Sequence, residues 1–392
     1  MDIHVVSAVR TAIGTFGGSL KDFEPGDLGA RVSREVLARA KLDVGAVGHV
    51  VFGQVIHTSP RDPYLARIAA LGAGLPHSVP AFTVNRLCGS GLQAIVSAAQ
   101  AIALGDCEVA IGGGAEVMSR APFLAPALRW GQKLGDTTLV DMLNGALTDP
   151  FENILMGVTA ENVADRYQVT REQQDALALE SQRRATEAIA QGRFVSQILP
   201  VAVKAKGGTR EFSVDEHVRT DASAADLAKL RPIFRADKGS VTAGNASGIN
   251  DGAAAVLLAS SAAVKKHNLT PLGRLVAYAH AGVEPRYMGI GPVPATRLAL
   301  ERAGLTIADL DVIESNEAFA AQACAVSREL GFDAARTNPN GSGISLGHPI
   351  GATGAILVTK LLYELQRRSG RYGLATMCIG GGQGIAAIFE RG

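Results

Sequence analysis

Two thiols, an imidazole and an amide stand in this chain beside glycines that leave backbone N–H groups uncovered. Cys88 lies in Val84-Asn85-Arg86-Leu87-Cys88-Gly89-Ser90-Gly91. The other three fall in the last third of the chain: Asn316 in Asn316-Glu317-Ala318-Phe319, His348 in Gly347-His348-Pro349-Ile350-Gly351, and Cys378 in Cys378-Ile379-Gly380-Gly381-Gly382. Together they form an inventory for acyl transfer through a thioester. A sulfur attacks a carbonyl, an imidazole moves the proton, and N–H donors carry the charge that develops on oxygen.

Each residue has a plainer reading. An isolated cysteine is usually a small buried hydrophobe, and Cys107 and Cys324, in apolar runs without flanking glycines, are read that way. Cys88 differs. Ala81-Phe82-Thr83-Val84 reads as a strand and Leu92 onward as an apolar helix, so Cys88 falls on the turn at a helix N-terminus. Free N–H groups and the positive end of the macrodipole favour a thiolate there. His348 is held between a glycine and a proline, with a helix expected to start at Pro349-Ile350-Gly351, so that the proline aims the imidazole. His4, His57, His77 and His267 have no such context. Cys378 ends the strand Ala375-Thr376-Met377 and faces three glycines. A second thiol could be a disulfide partner, a metal ligand or an acid/base. Metal is disfavoured, because no Cys-x-x-Cys or Cys/His cluster at ligand spacing occurs. Asn316 follows the strand Val312-Ile313 and could fix a water beside an oxyanion, although alone it would read as a turn former.

These residues must be positioned by a large α/β scaffold. At 392 residues, 47% hydrophobic and 19% charged, the chain has much to bury and is long enough for two or three domains. Lys+Arg number 38 and Asp+Glu 37, a formal net charge of +1, so no global field draws the chain to nucleic acid or an anionic membrane. No apolar run is read as approaching the roughly 18 residues of a membrane span. The absence of a signal-like segment and the four unpatterned cysteines fit a reduced, cytoplasmic setting.

An internal repeat organises the scaffold. Leu37 to Leu42 matches Leu300 to Leu305 at an offset of 263, and the same offset lays Cys88-Gly89-Ser90-Gly91 on Gly351-Ala352-Thr353-Gly354. Val109 to Gly114 then resembles Met377 to Gly382 after a slip of about five residues. Each half reads as helix, buried strand, glycine turn, buried helix and strand. The polar stretch between them, with a helix expected over 171–191, reads as an insertion on the first half. The expected boundaries are 1–120 with 248–270 for the N-terminal half, 121–247 for the insertion and 271–392 for the C-terminal half.

Taken in order, the four motifs resemble the signatures of the thiolase family, and the resemblance covers essentially the whole chain. It implies a five-layered αβαβα fold of two similar halves, plus an inserted loop domain that covers coenzyme A. It also implies an acetyl-CoA C-acyltransferase that makes or cleaves 3-ketoacyl-CoA, in fatty acid metabolism or polyhydroxyalkanoate precursor synthesis. Cys88 would carry the acyl group, activated by His348. Cys378 would move the α-proton. Asn316, through a water, and His348 would form one oxyanion hole, and the N–H groups of Cys88 and Gly380 the other. Ser247 and Ala243 are expected along coenzyme A, with Arg219 and Phe234 at its adenine and phosphate end. Met156, Met288, Ala318 and Phe319 would shape the acyl pocket. No tightly bound cofactor is implied, and the partners would be coenzyme A, acyl-CoA thioesters and three further copies in a dimer of dimers. Leu155 departs from the pattern, since many acetoacetyl-CoA thiolases carry histidine there. With the Thr83 to Arg86 stretch, this favours a broad-range 3-ketothiolase over a short-chain specialist. The rival readings are a decarboxylating ketoacyl synthase, which the terminal Cys378 disfavours, and a non-catalytic acyl-CoA-binding scaffold.

Overall fold

The computed structural model describes residues 2–392. Its N-terminal half holds the strands β1 (Ile3–Thr11), β2 (His49–Gly53), β3 (Ala81–Val84), β4 (Val109–Val117) and β5 (Asn250–Ser260), laid side by side as β3-β2-β4-β5-β1. The C-terminal half repeats the plan with β6 (Gly273–Gly282), β7 (Leu310–Ser315), β8 (Tyr372–Ile379) and β9 (Gln383–Arg391), ordered β7-β8-β9-β6. Where the first half has β3, the second has a single parallel bridge from Ile313 to Thr337. The first strands of the two halves also pair, Ile3 with Leu275 and Val5 with Gly273, so one ladder runs through both sheets.

The longer helices are α1 (Pro25–Ala40), α2 (Leu65–Gly72), α3 (Ser90–Leu104), α4 (Met156–Tyr167), α5 (Arg171–Ala190), α6 (Pro292–Ala303), α7 (Ala320–Leu330) and α8 (Thr353–Arg368). Helices α1 and α2 cover one face of the first sheet, α6 covers the outer face of the second, and α3 and α8 pack against each other between the sheets. This is the five-layered αβαβα arrangement. Strand β5 is buried along its whole length, which explains why it reads as an unbroken apolar run rather than as an alternation.

The central layer corrects one reading of the sequence. Leu87–Leu104 is an 18-residue stretch of mean hydropathy 1.5, apolar enough to cross a membrane by length and composition. The helix is apolar nearly all round because it has sheets or helix on every side. Its partner α8 starts at Thr353 rather than at Pro349. Residues 349–352 form a turn in which the Pro349 carbonyl accepts from the N–H groups of Ala352 and Thr353.

The repeat is exact in space where the two helices cross. A Cβ on Gly91 would stand 2.8 Å from the Ala355 nitrogen, and one on Gly354 would collide with the Leu92 nitrogen, its counterpart at the same offset. The repeat fails at the third glycine cluster. Gly380-Gly381-Gly382 make the turn between β8 and β9, with φ of +77° at Gly381 and +82° at Gly382. Gly112-Gly113-Gly114 instead lie inside β4, paired on both edges. There the missing side chains admit Ile95 of α3 and the Phe52 ring.

Residues 118–249 form the excursion between β4 and β5. It is tied back by Arg10, which reaches Asp215 with two bonds (2.7 and 2.9 Å) and Gln197 with a third (2.8 Å), all buried. Such a buried pair specifies one docking geometry more than it adds stability.

Candidate active site

Cys88 stands on a turn fixed from several directions. Leu87, just before it, has φ +45°, a left-handed conformation that is costly for leucine. The strain is held by the Asn85 side chain accepting from the Leu87 N–H (2.9 Å), the Gly89 N–H donating to Arg86, and the Ser90 hydroxyl donating to the Leu87 carbonyl (2.6 Å). Strain so over-determined holds the sulfur in one place. Gly89 has no room for a side chain, because a Cβ would meet Ile379.

His348 is fixed through both its backbone and its ring. Its N–H donates to Asn250 Oδ1 (2.9 Å), and Asn250 Nδ2 donates to the Gly14 carbonyl (3.0 Å). Ring atom Nδ1 lies 2.7 Å from Thr353 Oγ1, and Nε2 lies 3.4 Å from Asn316 Nδ2. Asn316 follows the end of β7, its N–H donating to the Thr376 carbonyl (3.0 Å). Its buried Oδ1 has no partner among the described residues. Glu317 beside it is buried and takes bonds from Ser181 (2.6 Å) and Asn338 (2.9 Å), which anchors the turn.

Electrostatically the site is dry. Burial pulls the His348 imidazole down to about 4, so it is neutral at ordinary pH. Burial pushes the Cys88 thiol up to about 11, against the backbone N–H groups of Gly380 and of Cys88 itself, which favour the thiolate. The thiolate expected from the sequence is therefore not the resting state, because desolvation outweighs the helix-end donors. The Cys378 thiol is raised further, first by burial and then by the nearby Cys88 sulfur. The turns that carry the two cysteines lie against each other, since a Cβ on Gly89 would meet Ile379 and one on Gly380 would lie 3.4 Å from Leu87. Glu116 completes the frame. This buried carboxyl accepts from Val55 and Gly351 (2.9 Å each) and from Ile56 (3.1 Å), joining the segment after β2 to the His348 loop, and burial pushes it up to about 8.

Met156, Met288, Ala318, Phe319 and Leu147 pack around Cys378 in an apolar cluster. Gly380 faces Met156: a Cβ there would lie 3.3 Å from the Met156 sulfur. The Ser247 N–H donates to the Ala318 carbonyl (3.0 Å), which ties the expected coenzyme A segment to that cluster. Arg219 and Ala243 line a separate cavity of about 310 Å³ with His217, Ser223 and Leu227. Phe234 does not line that cavity. Its ring meets Phe319 edge-on, centroids 6.3 Å apart, and lies over Gly157, one residue from Met156. Leu155, the residue before Met156, is 36% exposed and pairs with Thr148.

Comparison with known proteins agrees with this geometry. Residues 3–262 match the family model "Thiolase, N-terminal domain", and residues 269–391 match "Thiolase, C-terminal domain". The chain belongs to the thiolase family. It is accordingly an acyltransferase. Among its relatives, the beta-ketothiolase BktB of Cupriavidus necator is 66% identical over 390 residues, covering 100% of this chain and 99% of that protein. An acetyl-CoA acetyltransferase of Pseudomonas aeruginosa is 52% identical, with 100% and 99% covered. The crystal structure of human mitochondrial 3-ketoacyl-CoA thiolase in complex with CoA matches with a TM-score of 0.97 at 46% identity, over 100% of this chain and 98% of that one.

Sequence reasoning missed Glu116, Asn250, Ser181 and Thr353. Only Thr353 carried a signal, because the repeat lays it on Ser90, and both hydroxyls bond back to the turn before their helix.

A thiol raised to about 11 is almost wholly protonated at neutral pH, and its thiolate fraction grows about tenfold per pH unit below that value. Iodoacetamide alkylation of Cys88 in the substrate-free enzyme, followed by peptide mass spectrometry, is expected to climb through pH 9 without levelling. A plateau near pH 7 would reveal a thiolate–imidazolium pair formed before substrate arrives.

Proposed function

We propose that this thiolase is an acetyl-CoA C-acyltransferase of broad range, joining acetyl-CoA to an acyl-CoA or cleaving 3-ketoacyl-CoA with coenzyme A. The observation that carries the reading is the gathering of a half-buried thiol, a buried thiol, one neutral imidazole and Asn316 around glycine turns, beside an apolar cluster. Cys88 sulfur attacks the acyl-CoA carbonyl, its proton passes to His348 Nε2, and the departing coenzyme A sulfur takes the proton of Cys378. In the second half, the Cys378 thiolate so formed removes an α-proton from acetyl-CoA, and the resulting carbanion attacks the acyl carbon on Cys88. The carbon–carbon bond forms, and Cys88 sulfur leaves, taking back the proton held on His348. Thiolysis is the reverse sequence, with Cys378 donating the proton. A thiol raised by burial is a strong base once deprotonated, which removal of a weakly acidic α-proton demands.

Two carbonyl oxygens carry charge at different moments, so two donor sets are needed. The N–H groups of Cys88 and Gly380, which already meet the Cys88 sulfur, suit one. His348 and a water on Asn316 suit the other, and the unpartnered Asn316 oxygen supports that water, since a buried acceptor left unmet costs about 1–3 kcal/mol.

Residues 121–247 are proposed as the domain that covers coenzyme A. The cavity at Arg219 and Ala243 would take the nucleotide end, Ser247 the pantetheine arm, and Phe234 with Phe319 the stretch before the thioester. No resident metal or prosthetic group enters this scheme, and a cytoplasmic setting, with fatty acid or polyhydroxyalkanoate precursor metabolism, remains part of the proposal. A homotetramer is supported by the hairpin around Phe123–Leu124 and Val140–Asp141, which leaves Phe123, Leu128, Trp130 and Leu134 more than half exposed. Contiguous apolar surface of that kind marks an association site. Light scattering at micromolar concentration is expected to give about four times the chain's mass, and a monomer mass would refute the assembly.

The division of labour between the thiols has its own test. Cys378→Ala is expected to accept an acetyl group on Cys88, seen by mass spectrometry, while condensation falls by more than about a thousandfold, in line with loss of an essential proton-transfer group. Condensation at the wild-type rate would reduce Cys378 to packing.

Broad range rests on Leu155 and the methionine-containing apolar cluster around Cys378. Each methylene buried contributes about 0.8 kcal/mol, so apolar side chains there favour longer chains. Leu155→His is expected to raise kcat/KM for acetoacetyl-CoA relative to 3-ketohexanoyl-CoA several-fold. An unchanged ratio would place chain-length selection elsewhere, at Met288 or in the segment from Met118 to Trp130.

A further inference from the structure

The proton on His348 has an address that the thiolase chemistry alone does not supply. Thr353 Oγ1 lies 2.7 Å from His348 Nδ1 and 2.9 Å from the Pro349 carbonyl. A hydroxyl has one proton and two lone pairs, and a carbonyl oxygen can only accept. The second contact is the back-bond that threonine makes to the carbonyl four residues earlier, and it uses the hydroxyl's only proton. What remains toward the imidazole is a lone pair. We propose that Thr353 is the positioning residue that holds the proton of neutral His348 on Nδ1, leaving Nε2 unprotonated and facing Asn316.

Three observations bear on this. Thr353 is 97% buried, so water does not compete for either contact. The His348 backbone is fixed independently by Asn250, so the ring keeps its place while the hydroxyl sets its tautomer. The arrangement also serves both charge states. When Nε2 takes the proton from Cys88, Nδ1–H still donates to the same lone pair, and no group needs to turn. The opposite tautomer would require the hydroxyl to abandon Pro349. It would also put a proton on Nε2, the atom proposed to receive the proton of Cys88. Which nitrogen of a histidine acts is set by the bond the other one makes, and here a hydroxyl takes the place that a carboxylate holds in a Ser-His-Asp triad. A hydroxyl is the milder choice. It orients the ring without adding a negative charge that would raise the imidazole's basicity, consistent with an imidazole held at about 4.

The proposal rests on His348 acting as the base for Cys88, and its test reads the tautomer apart from turnover. In protein labelled with 15N-histidine, the His348 signals, assigned by their loss in a His348→Asn variant, are expected to show Nδ1 protonated and Nε2 bare at pH 7. Thr353→Val keeps the shape and removes the lone pair. It is expected to populate the Nε2–H form and to lower kcat about 10- to 100-fold with KM within threefold, whereas Thr353→Ser is expected to restore both the signal and kcat to within a few-fold. A wild-type protein already protonated on Nε2 overturns the proposal without any variant, including if Thr353→Val fails to fold. A folded Thr353→Val that keeps the Nδ1–H signal overturns it too. If the tautomer signals behave as expected while Cys88 takes up no acetyl group from acetyl-CoA, the positioning stands and the catalytic reading of His348 falls.

Discussion

The site depends on how closely two buried helix starts approach between the two sheets. The Gly351 carbonyl is surrounded by positions where no side chain fits: a Cβ on Gly53 would stand 2.8 Å away, one on Gly91 3.0 Å, and one on Gly114 would overlap it. That contact brings the turn carrying Cys88 against the loop carrying His348, although 260 residues separate them in the chain. Larger residues would push the helices apart, and a displacement of one ångström between nucleophile and base is enough to lose most of their cooperation. The high glycine content, 45 of 392 residues, is therefore partly a requirement of this crossing rather than of flexible loops.

The same closeness makes the site dry, and dryness sets its charge state. Helix-end N–H groups favour a Cys88 thiolate, but taking the sulfur out of water costs more than those donors return. Thiols and imidazole thus rest neutral, and charge appears only as bonds form. That suits a reaction in which oxygen, carbon and sulfur bear negative charge in turn, since donors fixed in a low-dielectric site stabilise each transient charge without reorganising. Glu116 shows the cost of such a frame: its carboxyl is buried without a cationic partner among the described residues, held by three backbone N–H groups that stitch the His348 loop to the segment after β2.

The two halves share a plan and have divided the work. Equivalent positions carry the nucleophile's turn in one half and the histidine's loop in the other, and the equivalent hydroxyls Ser90 and Thr353 brace the first turn of their helices. Ser90 supports the strained Leu87 backbone, while Thr353 turns the same kind of contact toward an imidazole. The glycine clusters diverged further. In the first half they let β4 pack closely, whereas in the second they form the turn that exposes the N–H of Gly380.

Much of this was legible in the sequence. Cys88, Asn316, His348 and Cys378 stand out because glycines and a proline flank them, and local chemistry of that kind is written in adjacent residues. The repeat, the strand over 81–84 and the helix over 171–190 were likewise local, carried by hydrophobic pattern and capping. Three features needed the tertiary structure. The sequence could not show that desolvation defeats the helix-end effect at Cys88, because burial is a sum over the whole fold. Nor could it place the Phe234 ring over Gly157 and against Phe319, since ring packing follows from the inserted domain's docking. It also gave no sign that Glu116, Asn250 and Thr353 converge on one loop, for hydrogen bonds between residues far apart in the chain leave no local pattern. The amino-acid sequence by itself determined which groups are available for the proposed chemistry; only the folded structure decided their charge states and orientations, because those depend on distance and on the exclusion of water.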